Sequence, residues 1–109
     1  MMVKRSLKVS ALLRFEISNI IQTKVMDPRI GIVTIKDIVV SNDLRNAKIY
    51  FSTLGSDREQ KETLKGLQRA RSFIQYQLGM RLRMRYTPCL KFFLDVAQNN
   101  GISDIDEKK

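Results

Sequence analysis

The chain of 109 residues contains no histidine, no tryptophan and a single cysteine, Cys89. Because there is no second cysteine, an internal disulfide is excluded. The absence of histidine excludes Ser-His and Cys-His catalytic pairs and, with only one cysteine, most zinc sites. A lone thiol is typical of a reducing compartment, so we expect a cytoplasmic protein. The sequence also lacks a P-loop and a glycine-rich dinucleotide motif, and we expect no cofactor and no metal.

Long apolar runs are missing as well. No segment approaches the roughly 18 apolar residues of a membrane span, so we expect no membrane partner. The chain has 20 Lys and Arg against 11 Asp and Glu, a formal net charge of +9, which indicates a polyanionic partner such as a phosphate backbone. Its length and its 43% of hydrophobic residues suffice for one core. We therefore predict one RNA-binding domain over residues 1–97 and a flexible tail over 98–109.

Positive charge is concentrated in residues 58–91, where nine Lys and Arg accompany two Glu. Surface helices usually mix the two signs, so this imbalance favours contact with nucleic acid over a merely solvated face. Three of the cations recur at the spacing that lines one ridge of a helix. With a basic arm at the start of the chain, the predicted RNA-binding residues are Lys4, Arg5, Lys8, Lys61, Lys65, Arg69, Arg71, Ser72, Arg81, Arg83 and Arg85.

Hydrophobic periodicity predicts the elements of the first half of the chain. Apolar residues at helical spacing predict a helix from about residue 7 to 24, and Pro28 follows its end. Two β-branched or alternating runs, over 32–40 and 47–52, predict an antiparallel hairpin. Asp37 disturbs the alternation of the first run, which indicates a bulge.

Two capping-box patterns mark the second half. Ser56 precedes Glu59 by three residues and Ser72 precedes Gln75 by the same spacing, so each pair predicts the start of a helix. We therefore expect two consecutive helices with a break near Ser72, and then a third strand over 90–95. The order α-β-β-α-α-β predicts an α+β fold of two layers, with a three-stranded sheet and helices on one face.

Three side chains invite a functional interpretation that must be weighed against a structural one. Glu16, at the margin of the first helix, is interpreted as a carboxylate paired with a nearby Lys or Arg and not as a catalytic acid. Tyr50 and Phe93 point away from the apolar faces of their strands and are the only strand aromatics placed to stack on bases. The other carboxylates are scattered among turns and strand ends, and we expect no enzymatic activity.

Five short motifs in a fixed order resemble the ribosome-binding factor A family. They are Asp27-Pro28-Arg29-Ile30, Val33-Thr34-Ile35, Ser41-Asn42-Asp43-Leu44, Ala47-Lys48-Ile49-Tyr50 and Arg81-Leu82-Arg83-Met84-Arg85, the last followed by Pro88 and Leu90. The resemblance extends from about Val9 to Asp95. It implies a KH-like fold of the second type. It also implies a bacterial or organellar factor that binds the small (30S) ribosomal subunit and its 16S rRNA late in assembly, assists 5′-end maturation and is linked to growth in the cold.

The resemblance implies an Ala-x-Gly kink between paired helices, where ordinary KH domains carry a Gly-x-x-Gly loop that clamps the nucleic-acid backbone. The matching residues are Ala70-Arg71-Ser72, so Ser72 replaces the glycine and lacks its freedom at positive φ. The leading interpretation is a monomeric, non-catalytic assembly factor. The alternatives left open are a generic KH-type single-stranded nucleic-acid-binding module, a small ribosomal protein, an enzyme acting on RNA and a membrane-surface protein.

Overall fold

The computed structural model describes residues 5–95, with side chains from Lys8 onward. Its elements are α1 Arg5–Thr23, β1 Val33–Val40, β2 Asn46–Thr53, α2 Asp57–Arg81 and β3 Cys89–Leu94. The strands form one sheet in the order β1-β2-β3, with β1 antiparallel and β3 parallel to β2. The predicted α+β fold with a three-stranded sheet is confirmed, whereas Lys4 and the predicted tail over 98–109 lie outside the described residues.

Helix α1 follows the apolar stripe that the periodicity predicts. Leu13, Ile17 and Ile20 are fully buried, and Ile21 is nearly so, because positions three and four apart share one face of a helix. The exposed Arg14 reaches the sheet: its Nη1 donates a hydrogen bond to the carbonyl oxygen of Ile35 at 2.8 Å. Helix α1 is therefore attached to β1 by apolar packing and by a polar contact at one point of that strand.

That point is the bulge predicted at Asp37. The register of β1 against β2 shifts between Ile35 and Asp37, so the bulge is confirmed. One extra residue restores the inward direction of the next apolar side chain, and Ile35 and Ile38 both lie in the core although they are three positions apart. The hairpin is also confirmed, and Leu44 in its connection has a positive φ of 62° while its side chain is buried.

Helix α2 begins where the first capping box predicts. Ser56 Oγ accepts the N–H of Glu59 at 3.1 Å, and Glu59 Oε1 accepts the N–H of Ser56 at 2.8 Å. Each bond satisfies a backbone N–H that the first turn of a helix would leave without a partner. Gly55, just before the cap, has a φ of +115° that favours glycine.

The break predicted near Ser72 is wrong, because α2 is one helix of 25 residues and the order is α-β-β-α-β. Leu67, Ile74 and Leu78 are all fully buried, so one apolar stripe continues past Ser72 without a change of phase. The second capping box does not form either, since Gln75 Oε1 accepts the N–H of Leu90 at 3.0 Å and thereby ties α2 to β3.

The connection between α1 and β1 packs against α2. Thr63 Oγ1 accepts the N–H of Gly31 at 3.1 Å, and the same hydroxyl donates to the carbonyl oxygen of Glu59 at 3.2 Å. Nearby, Ile30 packs so closely on Gly66 that a Cβ there would lie 2.6 Å from Ile30 Cγ1. The first family-like motif, which ends at Ile30, is thus a packing element that fixes the position of α2.

The sheet has one covered face and one open face. Its buried side chains belong to a single core with those of α1 and α2, so both helices lie on one face as predicted. The alternate residues of β2 and β3 point to the other face, which no described element covers. Within residues 5–95 no helix is both long and apolar enough to cross a membrane.

We expect Thr63→Val to lower the free energy of unfolding by about 1–3 kcal/mol, because the near-isosteric valine leaves the Gly31 N–H without its partner. Urea denaturation monitored by circular dichroism measures this loss. Thr53→Val is the matched control. The buried Thr53 Oγ1 has no hydrogen-bond partner within the described residues, so this change should be neutral or stabilising. Equal losses in both variants would contradict the role given to Thr63.

Candidate nucleic-acid interface

The first basic surface lies on the outer side of α2. Lys61, Lys65 and Arg69 are exposed and share the face opposite the buried stripe, as their four-residue spacing predicts; we call these three residues the α2 ridge. Neither of the two ion pairs found in residues 5–95 involves the ridge. Within the described part of the chain its cations therefore have no carboxylate at ion-pair distance, and they can contact the phosphates of a ligand.

Asp27, an acidic residue near Arg69 of the ridge, is paired mainly with a different cation. The hydrogen bond from the Arg29 side chain, followed by one from the Arg29 backbone N–H, holds the pKa of Asp27 below its usual range. The Arg69 charge contributes a smaller lowering. Asp27 therefore stays ionised at neutral pH, but Arg29 Nε, 3.1 Å from its Oδ1, is its main partner.

The second basic surface joins two connections that are distant in sequence. The Arg45 guanidinium, beside β2, lies 4.8 Å from the centre of the Tyr86 ring, and that of Arg85 lies 5.5 Å from it. Arg83 is exposed in the same connection between α2 and β3. We call Arg45, Arg83, Arg85 and Tyr86 the loop cluster. Two guanidiniums over one half-exposed ring can bind phosphate oxygens in a bidentate manner while the ring edge remains available.

Backbone contacts hold the loop cluster together. The N–H of Cys89 donates to the carbonyl oxygen of Arg45 at 2.8 Å, which joins the two connections. Asp43 Oδ1 accepts the Ser41 hydroxyl at 2.6 Å and the Arg45 N–H at 3.0 Å, and these two bonds lower the pKa of Asp43. The Asp43 carboxylate is therefore ionised at neutral pH and offsets part of the positive charge of the cluster.

Arg81 does not join either surface. Its Nη1 donates to Glu16 Oε1 at 3.3 Å and to Asn19 Oδ1 at 3.0 Å, and both ends of the ion pair are largely shielded from solvent. The interpretation of Glu16 as a paired carboxylate is confirmed. Arg81 is thereby engaged in holding α1 against α2.

The remaining predicted residues are dispersed. Ser72 is exposed on the same side of α2 as the ridge, whereas the exposed Arg71 lies about 160° around the helix from Arg69. Lys8 is exposed on α1, the side chain of Arg5 is not described, and Lys4 lies outside the described residues. The predicted residues whose side chains are described therefore do not form a single continuous patch.

Distance also separates the α2 ridge from the loop cluster. Helix α2 ends at Arg81, twelve positions after Arg69, which corresponds to about 18 Å along the helix axis. Between them the outer side of α2 carries Phe73, Tyr76 and Met80, with exposed fractions of 42%, 65% and 67%. The two basic surfaces are thus distinct and are separated by partly apolar surface.

Sequence reasoning missed Arg45 and Tyr86 as parts of a site. Arg45 lies in a segment whose charges balance, and Tyr86 is an isolated aromatic residue, so neither carries a local signal. Phe73, an apolar residue of α2, is also partly exposed. The acidic residues give no metal site, since the described residues contain no group of three or more Asp, Glu or Cys close enough to hold an ion.

Comparison with known proteins gives a consistent result. A family model described as ribosome-binding factor A matches residues 5–106. The ribosome-binding factor A of Halothermothrix orenii is 42% identical over 98 residues, which cover 90% of this chain and 80% of that protein.

Solved structures show the same similarity. The crystal structure of ribosome-binding factor A from Thermus thermophilus matches with a TM-score of 0.72 and 26% identity, over 82% of this chain and 94% of that one. A homology model of the Thermus thermophilus factor, fitted into a cryo-EM map of its complex with the 30S subunit, matches with a TM-score of 0.65 and 27% identity. That match covers 77% of this chain and 88% of that one.

We expect Arg81→Gln to lower the free energy of unfolding by about 1–2 kcal/mol, because it leaves the half-buried Glu16 carboxylate without its cation. Arg83→Gln is the matched control: it removes an exposed guanidinium that has no ion pair within the described residues and should stay within about 0.5 kcal/mol of the wild type. Urea denaturation of both variants, and of Glu16→Gln and the double variant, gives the coupling energy of the pair. A coupling energy near zero would contradict the link between α1 and α2.

Proposed function

Because the chain belongs to the ribosome-binding factor A family, we propose that it is a non-catalytic factor that binds the small (30S) ribosomal subunit and assists its late assembly. The observation that carries the proposal is the family membership itself. The fitted Thermus thermophilus complex supports it, since a similar protein occupies a 30S particle there. The α2 ridge and the loop cluster supply what contact with rRNA requires, namely exposed cations without carboxylate partners at ion-pair distance in the described part of the chain.

The two surfaces suit different contacts. The α2 ridge carries two ammonium groups and one guanidinium along a rigid helix and can follow a phosphate backbone. The loop cluster offers guanidiniums with planar, bidentate geometry beside an aromatic ring, an arrangement that fits an irregular or single-stranded phosphate. Because about 18 Å of helix lies between Arg69 and the end of α2, the factor can contact two separate segments of folded rRNA at once.

We further propose the finer assignments that the family implies. The α-β-β-α-β order, with its parallel β2–β3 pair connected through α2, is compatible with a KH-like fold of the second type in which α2 is continuous. In that role the factor would assist maturation of the 5′ end of 16S rRNA, support growth in the cold and act as a monomer in the cytoplasm. The residues proposed for RNA contact are Lys8, the α2 ridge, Ser72 and the loop cluster.

Sedimentation tests the proposal directly. Tagged protein, added to a bacterial lysate, should sediment on a gradient with the small subunit, and preferentially with particles that contain precursor rRNA. Protein that stays at the top of the gradient with free RNA would contradict the proposal and favour a generic nucleic-acid-binding module. Stoichiometric retention on mature subunits would equally contradict it and favour a ribosomal protein.

We expect Lys61→Ala/Lys65→Ala to weaken binding to the 30S subunit and to flatten the slope of log affinity against log salt concentration by about 1.4–1.8, because two phosphate contacts are lost. The control Lys24→Ala/Lys36→Ala removes the same charge from two other exposed positions and should leave the slope unchanged. Filter binding at several salt concentrations measures both. A slope identical in the two double variants would exclude the α2 ridge from the interface.

A further inference from the structure

The open face of the sheet carries an aromatic pair that the contacts described so far do not use. Tyr50 of β2 and Phe93 of β3 are directly opposite in the parallel register. Their ring centres are 5.2 Å apart and their planes differ by 23°, so the rings are stacked on each other. Both side chains keep part of their surface in solvent. The pair is therefore a small aromatic platform on the side of the protein opposite the helices.

Two lysines lie next to the platform on the same face. Lys48 and Lys91 are opposite each other in the register, two positions before Tyr50 and Phe93, which places them about 7 Å away along the strands. Both are exposed, and neither forms an ion pair within residues 5–95. Like charges in directly opposed positions destabilise a sheet unless an anion lies between them. This lysine pair thus has the arrangement of a site for a shared anion.

A carboxylate of β1 also lies on this part of the face. Asp37 is opposite Tyr50 on β1, and its Oδ1 accepts the N–H of Ile38 at 2.9 Å within the bulge. On β1 the residue opposite Lys48 is the exposed Val39, so the neighbours of Lys48 across both strands bear no negative charge. The platform is therefore flanked by a cationic pair on one side and by an engaged carboxylate on the other.

We propose that this outer face of the sheet is a third RNA contact, which takes a short single-stranded segment. A base would stack on the Tyr50–Phe93 platform, and Lys48 and Lys91 would share the adjoining phosphate. Single-stranded nucleic acid fits because it presents both an unpaired base face and a phosphate, whereas a duplex keeps its bases stacked inside. This inference rests on the proposed function, in which the protein already approaches rRNA through its helical side.

Two probes and two variants test the inference. Fluorescence anisotropy measures binding of a ten-nucleotide oligouridylate and of a blunt RNA duplex of the same length. Tyr50→Leu/Phe93→Leu should weaken binding of the oligouridylate on the order of 10-fold, with an unchanged salt slope and unchanged duplex binding, because stacking releases no counterions. Lys48→Gln/Lys91→Gln, which touches no packed ring, should flatten the oligouridylate slope by about 0.7, because the one phosphate that the two lysines share is lost. Tyr76→Leu, which changes an exposed aromatic on α2, is the control and should leave oligouridylate binding unchanged.

The inference would be overturned if both double variants bound oligouridylate with the affinity of the wild-type protein. It would also be overturned if the aromatic variant changed a dimer to a monomer in analytical ultracentrifugation without a change in RNA binding, since the face would then join two copies of the chain. Cosedimentation of the wild type with 30S subunits, run in parallel, separates the two claims. Normal cosedimentation with unchanged oligouridylate binding overturns the sheet contact alone. Lost cosedimentation with the expected oligouridylate losses overturns the assembly role and supports the sheet contact.

Discussion

The uninterrupted apolar stripe of α2 is the constraint on which the rest of the structure depends. Leu67, Ile74 and Leu78 pack the helix onto the sheet along about 17 Å of its axis, and Gly66 allows Ile30 to pack closely against it. Because the helix is packed against the rest of the protein near both ends, the orientation of its outer side and the distance between its ends are fixed. The α2 ridge lies near one end and the loop cluster lies beyond the other. Their spacing is therefore a property of the core and not of the surface residues themselves.

Much of this fold could be predicted from local patterns. The periodicity of α1, the bulge at Asp37 and the cap at Ser56 each depend on residues within a few positions, and each is confirmed. The capping-box prediction failed at Ser72, although Ser72 and Gln75 have the same spacing as Ser56 and Glu59. The outcome there depends on Gln75, whose side chain has an alternative partner in the backbone of β3. A capping box predicts a helix start only where its side chains have no better tertiary use.

The candidate site shows the same division between local and distant information. Spacing alone predicts that Lys61 and Lys65 share a ridge, because helical geometry determines it. Spacing could not indicate that Arg81 turns inward to Glu16, a residue 65 positions earlier, or that Arg45 meets Tyr86 across a long gap in the chain. Composition identified a basic protein. Only the fold determines which cations form ion pairs with carboxylates and which remain available to a ligand. Charge counts therefore overstate the surface available for RNA.

Under the proposed function, the dispersion of the contacts has a physical consequence for when the factor can bind. The α2 ridge, the loop cluster and the face of Tyr50 and Phe93 point in different directions, and each alone would bind RNA weakly and in a salt-sensitive manner. Linked on one rigid domain, they bind tightly only where the RNA presents all their partners in matching positions, since avidity is lost when geometry forbids simultaneous engagement. A particle whose rRNA rearranges during maturation would withdraw one partner and thereby release the factor. Under the proposed function, the factor would in this way distinguish an immature subunit from a finished one by geometry alone.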